Sequence, residues 1–295
     1  MLKKRYFGRS ILFIIAAVFA VVFLLPTVLT VTNSLMSQSE LTANYGMIFQ
    51  DARQAGGTDF TSDRVNVKFI PDKVSFSQYV TVLFRSPEYL MKFWNSVILV
   101  IPIVFAQVAV ASLAAYSFTR YQGRLKNVLF FSYIILMLMP YQVTVVPNYL
   151  VADWTGLLGS RWAIIFPGAF APFSVFLLTK FMRRIPVSLI EAAKLDGANE
   201  WHVFKDVCIP QCRSVLYSIA ILVFIDYWNM VELPIILLDD PEMQPLSVYL
   251  STINAQEVGI AFAVAVIYMI LPLLLFLRGE EALVEGITHS GSIKG

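Results

Sequence analysis

Residues 185–210 have the sequence IPVSLIEAAKLDGANEWHVFKDVCIP, which carries signals for a helix, a tight corner and a second helix. Ser188 and Glu191 have the spacing of a capping box, in which each side chain binds a free backbone N–H at the start of a helix. Gly197 permits the positive φ at which helices often end. Asn199 can cap the second helix. A compact helix-corner-helix segment is therefore predicted here.

The second of these helices is predicted to be amphipathic. Trp201, Phe204 and Cys208 recur at i, i+3 and i+7 and so share one face, and Pro210 marks the far end. Such a surface suits docking into a groove on another protein. A helix that lies on anionic lipid headgroups would show the same pattern, so the residues alone leave both interpretations open.

The composition of the whole chain indicates that its solvent is lipid. Of its 295 residues, 58% are hydrophobic and 14% are charged, and the mean hydropathy is +0.69. A typical soluble protein is about 45–50% apolar and about 25% charged. So little charged surface excludes a disordered protein, a nucleic-acid binder and an ordinary cytosolic enzyme. The chain is predicted to be an integral membrane protein that contacts membrane lipid.

Six apolar stretches are long enough to cross a bilayer as helices, for which about 20 residues are needed. They comprise residues 11–31, 93–119, 127–152, 162–179, 214–238 and 258–277. The first could be a cleaved signal peptide, but its length and the lack of a small-residue cleavage site favour a retained helix. Lys and Arg concentrate in loops on one side of this topology, which places both termini in the cytoplasm.

This topology predicts an all-α protein with six transmembrane helices and four regions. The cytoplasmic N-terminus and first span take residues 1–37, and an external loop follows at 38–92. A core of five spans (93–278) contains the segment 185–210 on its cytoplasmic side. A cytoplasmic tail (279–295) ends the chain.

The segment 185–210 resembles the EAA loop of ABC-importer permeases, whose pattern is Glu-Ala-Ala-x3-Gly-x9-Ile-x-Leu-Pro. This chain matches the pattern with Glu191, Ala192, Ala193, Gly197, Val207, Ile209 and Pro210. In that family the loop forms a coupling helix seated in a cleft of the ATP-binding subunit. The resemblance implies that the following residues couple the chain to an ATPase: Glu191, Ala192, Ala193, Gly197, Trp201, Phe204 and Pro210.

Further motifs resemble the carbohydrate-uptake permeases that are similar to the second, six-helix permease of the maltose system. They are Asn95-Ser96, Met139 to Val143, Pro147, Phe224, Trp228-Asn229 and Pro234. Met230 is a departure, since such permeases commonly carry an acid at that position. The resemblance implies a type I ABC-importer permease fold in a prokaryotic cell membrane. It also implies a homologous second permease, two ATP-binding subunits, an external solute-binding protein and a mono- or oligosaccharide as cargo.

Two ionisable residues, Asp226 and Glu232, interrupt the fifth apolar stretch. Such a group at membrane depth costs roughly 2.5–3.5 kcal/mol and usually faces a cavity or a partner. On one continuous helix the two would point about 120° apart, at about 100° per residue. Together with Tyr227, Trp228 and Asn229 they are candidates for the lining of a polar solute pathway. Alternatively, Glu232 lies in solvent near the outer surface and Asp226 binds a neighbouring helix.

The sequence contains no G-x-x-x-x-G-K-[ST] phosphate loop. The chain is therefore expected to bind no cofactor itself, and ATP and Mg²⁺ are expected on the partner ATPase subunits. No catalytic triad is credible with His202 and His289 alone. Cys208 and Cys212 do not have the spacing of a zinc site. The expected protein is thus not an enzyme, holds no metal and binds no nucleic acid.

Three other functions stay open. A gradient-driven secondary transporter could use Asp226 or Glu232 as its ion site. An ABC permease could carry a solute that is not a sugar. A membrane scaffold would have no transport role at all.

Overall fold

The computed structural model describes residues 2–45, 67–252 and 258–288, and within these ranges the chain is helical without any strand. The predicted external loop 38–92 and the predicted tail 279–295 are therefore only partly described. The helices are α1 (Leu2–Ser34), α2 (Gln38–Tyr45), α3 (Ser77–Val80), α4 (Pro87–Arg120), α5 (Arg124–Met137), α6 (Tyr141–Trp154), α7 (Trp162–Gly168), α8 (Pro172–Met182), α9 (Val187–Leu195), α10 (Glu200–His202), α11 (Ile209–Gln211), α12 (Arg213–Trp228), α13 (Glu232–Leu237), α14 (Leu246–Ser251) and α15 (Val258–Thr288).

The described helices supply the predicted six spans when each bent pair counts as one. Four segments are long and apolar enough to cross a membrane: Leu12–Ser34, Pro87–Arg120, Trp162–Met182 and Val258–Val284. The two bent pairs are α5 with α6, and Glu200–Gln211 with α12. The described parts of the chain form two compact units, Met1–Leu90 with Leu250–Ile270 and Met91–Tyr249 with Leu271–Gly295.

The third predicted span, 127–152, is not one straight helix. It breaks between Met137 and Tyr141, and α5 and α6 meet at a bend of 108°. Pro140 lies at the break, with a φ of −59° and a ψ of 138°. A proline has no N–H for the helix and disfavours the helical conformation in the residue before it. The apolar composition therefore predicted a stretch long enough to cross the membrane, but Pro140 divides that stretch into two helices.

The fifth predicted span, 214–238, is also wrong as a single helix, because α12 ends at Trp228 and α13 begins at Glu232. Pro234 explains the break, since it has no N–H to donate to the carbonyl of Met230 as a continuous helix requires. That carbonyl instead accepts a hydrogen bond from the Ser247 hydroxyl. The predicted angle of 120° between Asp226 and Glu232 therefore does not apply.

A hydrophobic cluster in the second unit includes residues of α4, α7, α8, α9 and α12. Fully buried members come from four of these elements: Leu99, Ile103, Ile164, Leu178 and Ile219. Within it, the Gln107 side chain of α4 donates to the Ser174 hydroxyl of α8 at 2.7 Å. Large exposed apolar side chains cover other faces of the spanning helices, as expected for surfaces that face lipid.

Asn95 and Ser96 tie the acidic connection that follows α13 to the first part of α4. The Asn95 side-chain amide donates to the carbonyl of Glu242, and its oxygen accepts a hydrogen bond from Arg161 at 2.8 Å. The Ser96 hydroxyl accepts the backbone N–H of Leu246 at 3.0 Å. These bonds give the Asn95-Ser96 motif a structural role.

The predicted boundary between the last span and the tail does not coincide with a helix end. Helix α15 continues past Arg278 to Thr288. Residues 289–295 lie outside the described residues, as do residues 46–66 of the external loop. In the described part of that loop, Lys68 binds Glu40 at 3.2 Å and also Asp72.

Candidate functional site

The first helix of the segment 185–210 is α9, and it begins one residue before Ser188. Pro186 precedes its first turn, and in the described part of the chain no side-chain hydrogen bond caps it. The predicted capping box is therefore wrong. Pro186, with a φ of −56°, lets the helix begin at Val187, which leaves Ser188 inside the first turn rather than at the cap.

The predicted glycine corner is present. Gly197 has a φ of +87°. The N–H of Ala198 donates to the carbonyl of Ala193 at 3.0 Å, and the N–H of Gly197 donates to Lys194 at 3.1 Å. This pair of bonds is a Schellman motif, which satisfies the free carbonyls at the end of a helix. The corner is thus a defined turn rather than a loose loop.

The second helix begins as predicted, because the Asn199 side chain accepts the backbone N–H of His202 at 2.9 Å. Its middle, Val203–Cys208, is a π-helical turn. A π-helix brings residues five apart into register, so Val203 and Cys208 are both buried. Phe204 and Cys208, which were predicted to share a docking face with Trp201, are buried, whereas Trp201 is 58% exposed. The predicted apolar face is therefore displaced, and Val203 was missed.

The outer surface of this loop carries exposed apolar side chains. Leu195, beside the corner, is 89% exposed, and Val187, Leu189 and Trp201 are exposed as well. Sequence reasoning did not identify Leu195, although a leucine two residues before the corner glycine is a usable signal. An exposed apolar group outside the lipid is typical of an interaction site.

The predicted coupling residues occupy both sides of the loop. Phe204 is buried and Ala193 is half-buried. The exposed ones are Glu191, Ala192, Gly197, Trp201 and Pro210. The exposed group can meet a partner, and the buried group holds the loop on the spans. The loop residues Ile190, Val203, Phe204 and Cys208 belong to the same hydrophobic cluster as the spanning helices.

A cavity of about 560 Å³ lies where α12 ends and α13 begins. Its lining includes Asp226, Tyr227, Asn229 and Glu232, four of the five pathway candidates. The break at Pro234 brings Asp226 and Glu232 to one cavity although they lie on different helices. Tyr141, the first residue after the 108° bend, completes the polar lining. It was missed, although a tyrosine directly after Pro140 in an apolar stretch is a signal.

Trp228, the fifth pathway candidate, does not line this cavity. It is fully buried. Its ring stacks on Phe224 with the centroids 5.1 Å apart and meets Phe93 edge-on at 5.7 Å. The structure therefore places Trp228 in the core between α4 and α12, behind the cavity wall.

Several known transport permeases are similar in sequence to this chain. A probable ABC transporter permease of Pyrococcus horikoshii is 32% identical over 65% of this chain and 72% of its own length. The lactose transport permease LacG of Rhizobium radiobacter is 25% identical over 81% and 88%. The melibiose/raffinose/stachyose import permease MelC of Bacillus subtilis is 30% identical over 62% and 68%.

A solved structure shows the same fold. It is that of a bacterial ABC transporter involved in the import of the acidic polysaccharide alginate, with a TM-score of 0.74 and 24% identity. The match covers 94% of this chain and 96% of that one. This likeness confirms the predicted fold class, the all-α fold of ABC-importer permeases.

Residues 107–285 match the model of one protein family, and these residues include the helix-corner-helix loop and the cavity. With its apolar helices, the chain is a multi-pass protein of the inner membrane. The chain belongs to the family of binding-protein-dependent transport system inner membrane components.

Proposed function

We propose that this chain is the permease subunit of an ATP-driven importer in a prokaryotic cell membrane. Its cargo is a mono- or oligosaccharide that an external solute-binding protein delivers. The observation that carries this proposal is the rigid helix-corner-helix loop, which exposes Leu195 and Trp201 to a partner and buries Val203 and Phe204 against the spans. The names of several relatives, which transport lactose, melibiose or arabinooligosaccharides, support a saccharide as the cargo.

The partners in this proposal are those that the family resemblance implies. The chain has no phosphate-loop motif, so ATP and Mg²⁺ would bind to two separate ATPase subunits, and hydrolysis would take place there. A homologous second permease would complete the pathway through the membrane. A related alginate transporter was solved in complex with its oligosaccharide-bound periplasmic protein, which supports a binding protein as the donor.

In this proposal the loop transmits motion from the ATPases to the transmembrane helices. Closure of the ATPases displaces the segment 185–210. The buried residues of the loop share one packed cluster with the spans, and packed interiors transmit strain rather than absorb it. The displacement therefore reorients α4, α8 and α12, and the cavity opens outward to receive the solute.

The cavity has chemistry that suits a sugar. Its volume of about 560 Å³ is within the range of about 300–1,000 Å³ for small-molecule sites. Asp226, Glu232 and Asn229 offer acceptors to hydroxyl groups, and Tyr141 and Tyr227 offer rings that can pack on a sugar face. We propose these five residues as part of the solute pathway.

Neutral replacement of the cavity acids tests this assignment. We expect Asp226→Asn and Glu232→Gln each to raise the KM of saccharide uptake about tenfold, since a hydrogen bond to a charged group contributes about 1.5–3 kcal/mol. Initial rates with radiolabelled lactose, melibiose and arabinooligosaccharides measure the KM. Glu242→Gln is the matched control, because the exposed Glu242 lies outside the cavity. An unchanged KM in both cavity variants would remove these acids from the pathway.

The energy source distinguishes this function from its rivals. We expect uptake into cells to stop with vanadate and to persist when the ion gradients are collapsed. Uptake that resists vanadate and ends with the gradient would identify a secondary transporter. Adding amino acids and phosphate to the solute panel tests whether the importer carries something other than a sugar. Absence of all uptake from cells that also express the second permease, the ATPase and the solute-binding protein would favour a scaffold.

A further inference from the structure

Tyr116 connects the cytoplasmic loop to a transmembrane helix. It lies one turn before the end of α4 and is buried. Its hydroxyl donates to the carboxylate of Glu200 and lies 3.2 Å from the main-chain carbonyl of the same residue. Because Glu200 is the first residue of α10, this contact joins α4 to the start of the second loop helix.

Glu200 also contacts the helix that precedes the glycine corner. The Lys194 ammonium, in the last turn of α9, binds the other oxygen of the Glu200 carboxylate. One carboxylate therefore contacts the helix before the corner and the span α4, and it belongs to the helix after the corner. A rotation of the loop about Gly197 would separate at least one of these pairs.

The ring of Tyr116 adds an apolar contact to the same loop helix. It meets the ring of Phe204 edge-on with the centroids 5.2 Å apart, and Phe204 in turn packs on Trp201 at 5.4 Å. Both Tyr116 and Phe204 are buried. The hydroxyl and the ring of Tyr116 thus grip two successive turns of the second loop helix.

The opposite part of α4 reaches the wall of the cavity. Phe93 meets Trp228 edge-on at 5.7 Å, and the neighbours of Trp228 in sequence, Tyr227 and Asn229, line the cavity. Helix α4 therefore runs without a break from the loop contact at Tyr116 to the residue behind the cavity. Pro102 lies inside this stretch without ending the helix, so continuous helix joins Tyr116 to Phe93 and can carry a shift from one to the other.

We propose that Tyr116 is a positioning residue that transmits the displacement of the cytoplasmic loop to helix α4, with Glu200 as its acceptor. The proposal rests on the proposed function, in which an ATPase moves the loop. It assigns the transmission to one hydroxyl–carboxylate pair rather than to the apolar packing alone. The apolar packing keeps the loop attached, and the pair fixes its angle to α4.

The test measures the motion of α4 in the purified complex with its ATPase. A cysteine in place of Trp94, an exposed residue of α4, is labelled with a membrane-impermeant maleimide, with and without ATP and vanadate. Both native cysteines are buried, so they contribute a low background. We expect the labelling rate to change with ATP and vanadate in the parent protein. In Tyr116→Phe, which keeps the ring against Phe204, we expect that change to be lost.

Four further variants separate transmission from assembly. Glu200→Gln keeps an oxygen that accepts the Tyr116 hydroxyl and should retain most of the change. Glu200→Ala should lose it, because this change removes the Lys194 contact as well as the Tyr116 hydrogen bond. Adding Tyr116→Phe to Glu200→Ala should cause no further loss, because the hydroxyl then has no carboxylate to bind. Tyr121→Phe is the matched control, since Tyr121 is exposed next to the end of α4, and it should behave as the parent.

Each result bears on one claim. An unchanged response in Tyr116→Phe, or a further loss in the double variant beyond that of Glu200→Ala, would overturn the proposal. Loss of the ATPase from purified Tyr116→Phe would also overturn it, because the hydroxyl would then serve assembly. If the parent protein itself binds no ATPase, the proposed function fails, and this arm identifies that failure separately.

Discussion

Valine in place of Gly197 is expected to lower transport at least tenfold in a chain that still inserts into the membrane. Gly197 has a φ of +87°, and a residue with a side chain pays about 1–2 kcal/mol in the left-handed region, with a β-branched one among the least tolerated. An added Cβ would meet no described atom within 4 Å. The backbone angle, rather than crowding, therefore causes the damage. We expect uptake to fall at least tenfold, measured with the saccharide panel.

Gly197→Asn is the matched control for this variant. Asparagine is several-fold enriched at positive φ, so it should preserve the corner bonds of Gly197 and Ala198 and most of the uptake. The amount of ATPase that co-purifies with each variant shows whether Gly197→Val prevents the loop from binding the ATPase or only changes the angle between the two loop helices. Normal transport by Gly197→Val would contradict the role given to the corner.

Removal of the Trp228 ring is expected to produce the largest loss of stability. Trp228 is fully buried between Phe224 and Phe93, and replacement of a buried aromatic residue by alanine costs about 3–5 kcal/mol. We expect Trp228→Ala to lower the thermal unfolding temperature in detergent and the yield of folded protein. The measurement is unfolding followed by size-exclusion fluorescence at increasing temperature.

The control is Trp154→Ala, which removes the same ring from a side chain that is 87% exposed. It should leave the unfolding temperature nearly unchanged in detergent. If Trp228→Ala were as stable as this control and raised only the KM for the solute, Trp228 would belong to the pathway after all. The packing seen around it would then be incidental to its function.

The extent of the membrane-embedded chain and the corner of its loop could be predicted from the sequence. A long apolar run by itself indicates a segment that can cross a membrane. Gly197 and Asn199 indicate the corner because glycine tolerates a positive φ and asparagine caps helices. Pro140 and Pro234 are in the same sequence, but the spans were predicted by counting apolar residues. That count ignores the backbone N–H that a proline lacks and that a continuous helix needs. The two broken spans therefore follow from local rules that hydropathy alone does not include.

The parts of the site that could not be predicted depend on tertiary packing. Nothing in the spacing of Asp226, Trp228 and Glu232 shows that Trp228 points into the core while the two acids share a cavity. The π-helical turn that buries Val203 in place of Trp201 likewise has no local signature. The link from Tyr116 to Glu200 joins residues 84 positions apart, which no single-sequence pattern reveals.

Cross-linking from position 195 shows what the loop touches. A photoreactive phenylalanine analogue in place of Leu195, which is 89% exposed beside the corner, is irradiated in cells that express the complete set of transport subunits. We predict a covalent adduct between position 195 and the ATPase subunit. The same analogue in place of Trp154 should form no adduct with that subunit. An adduct with lipid alone, or labelling of this position only from outside the cell, would contradict the role of the loop.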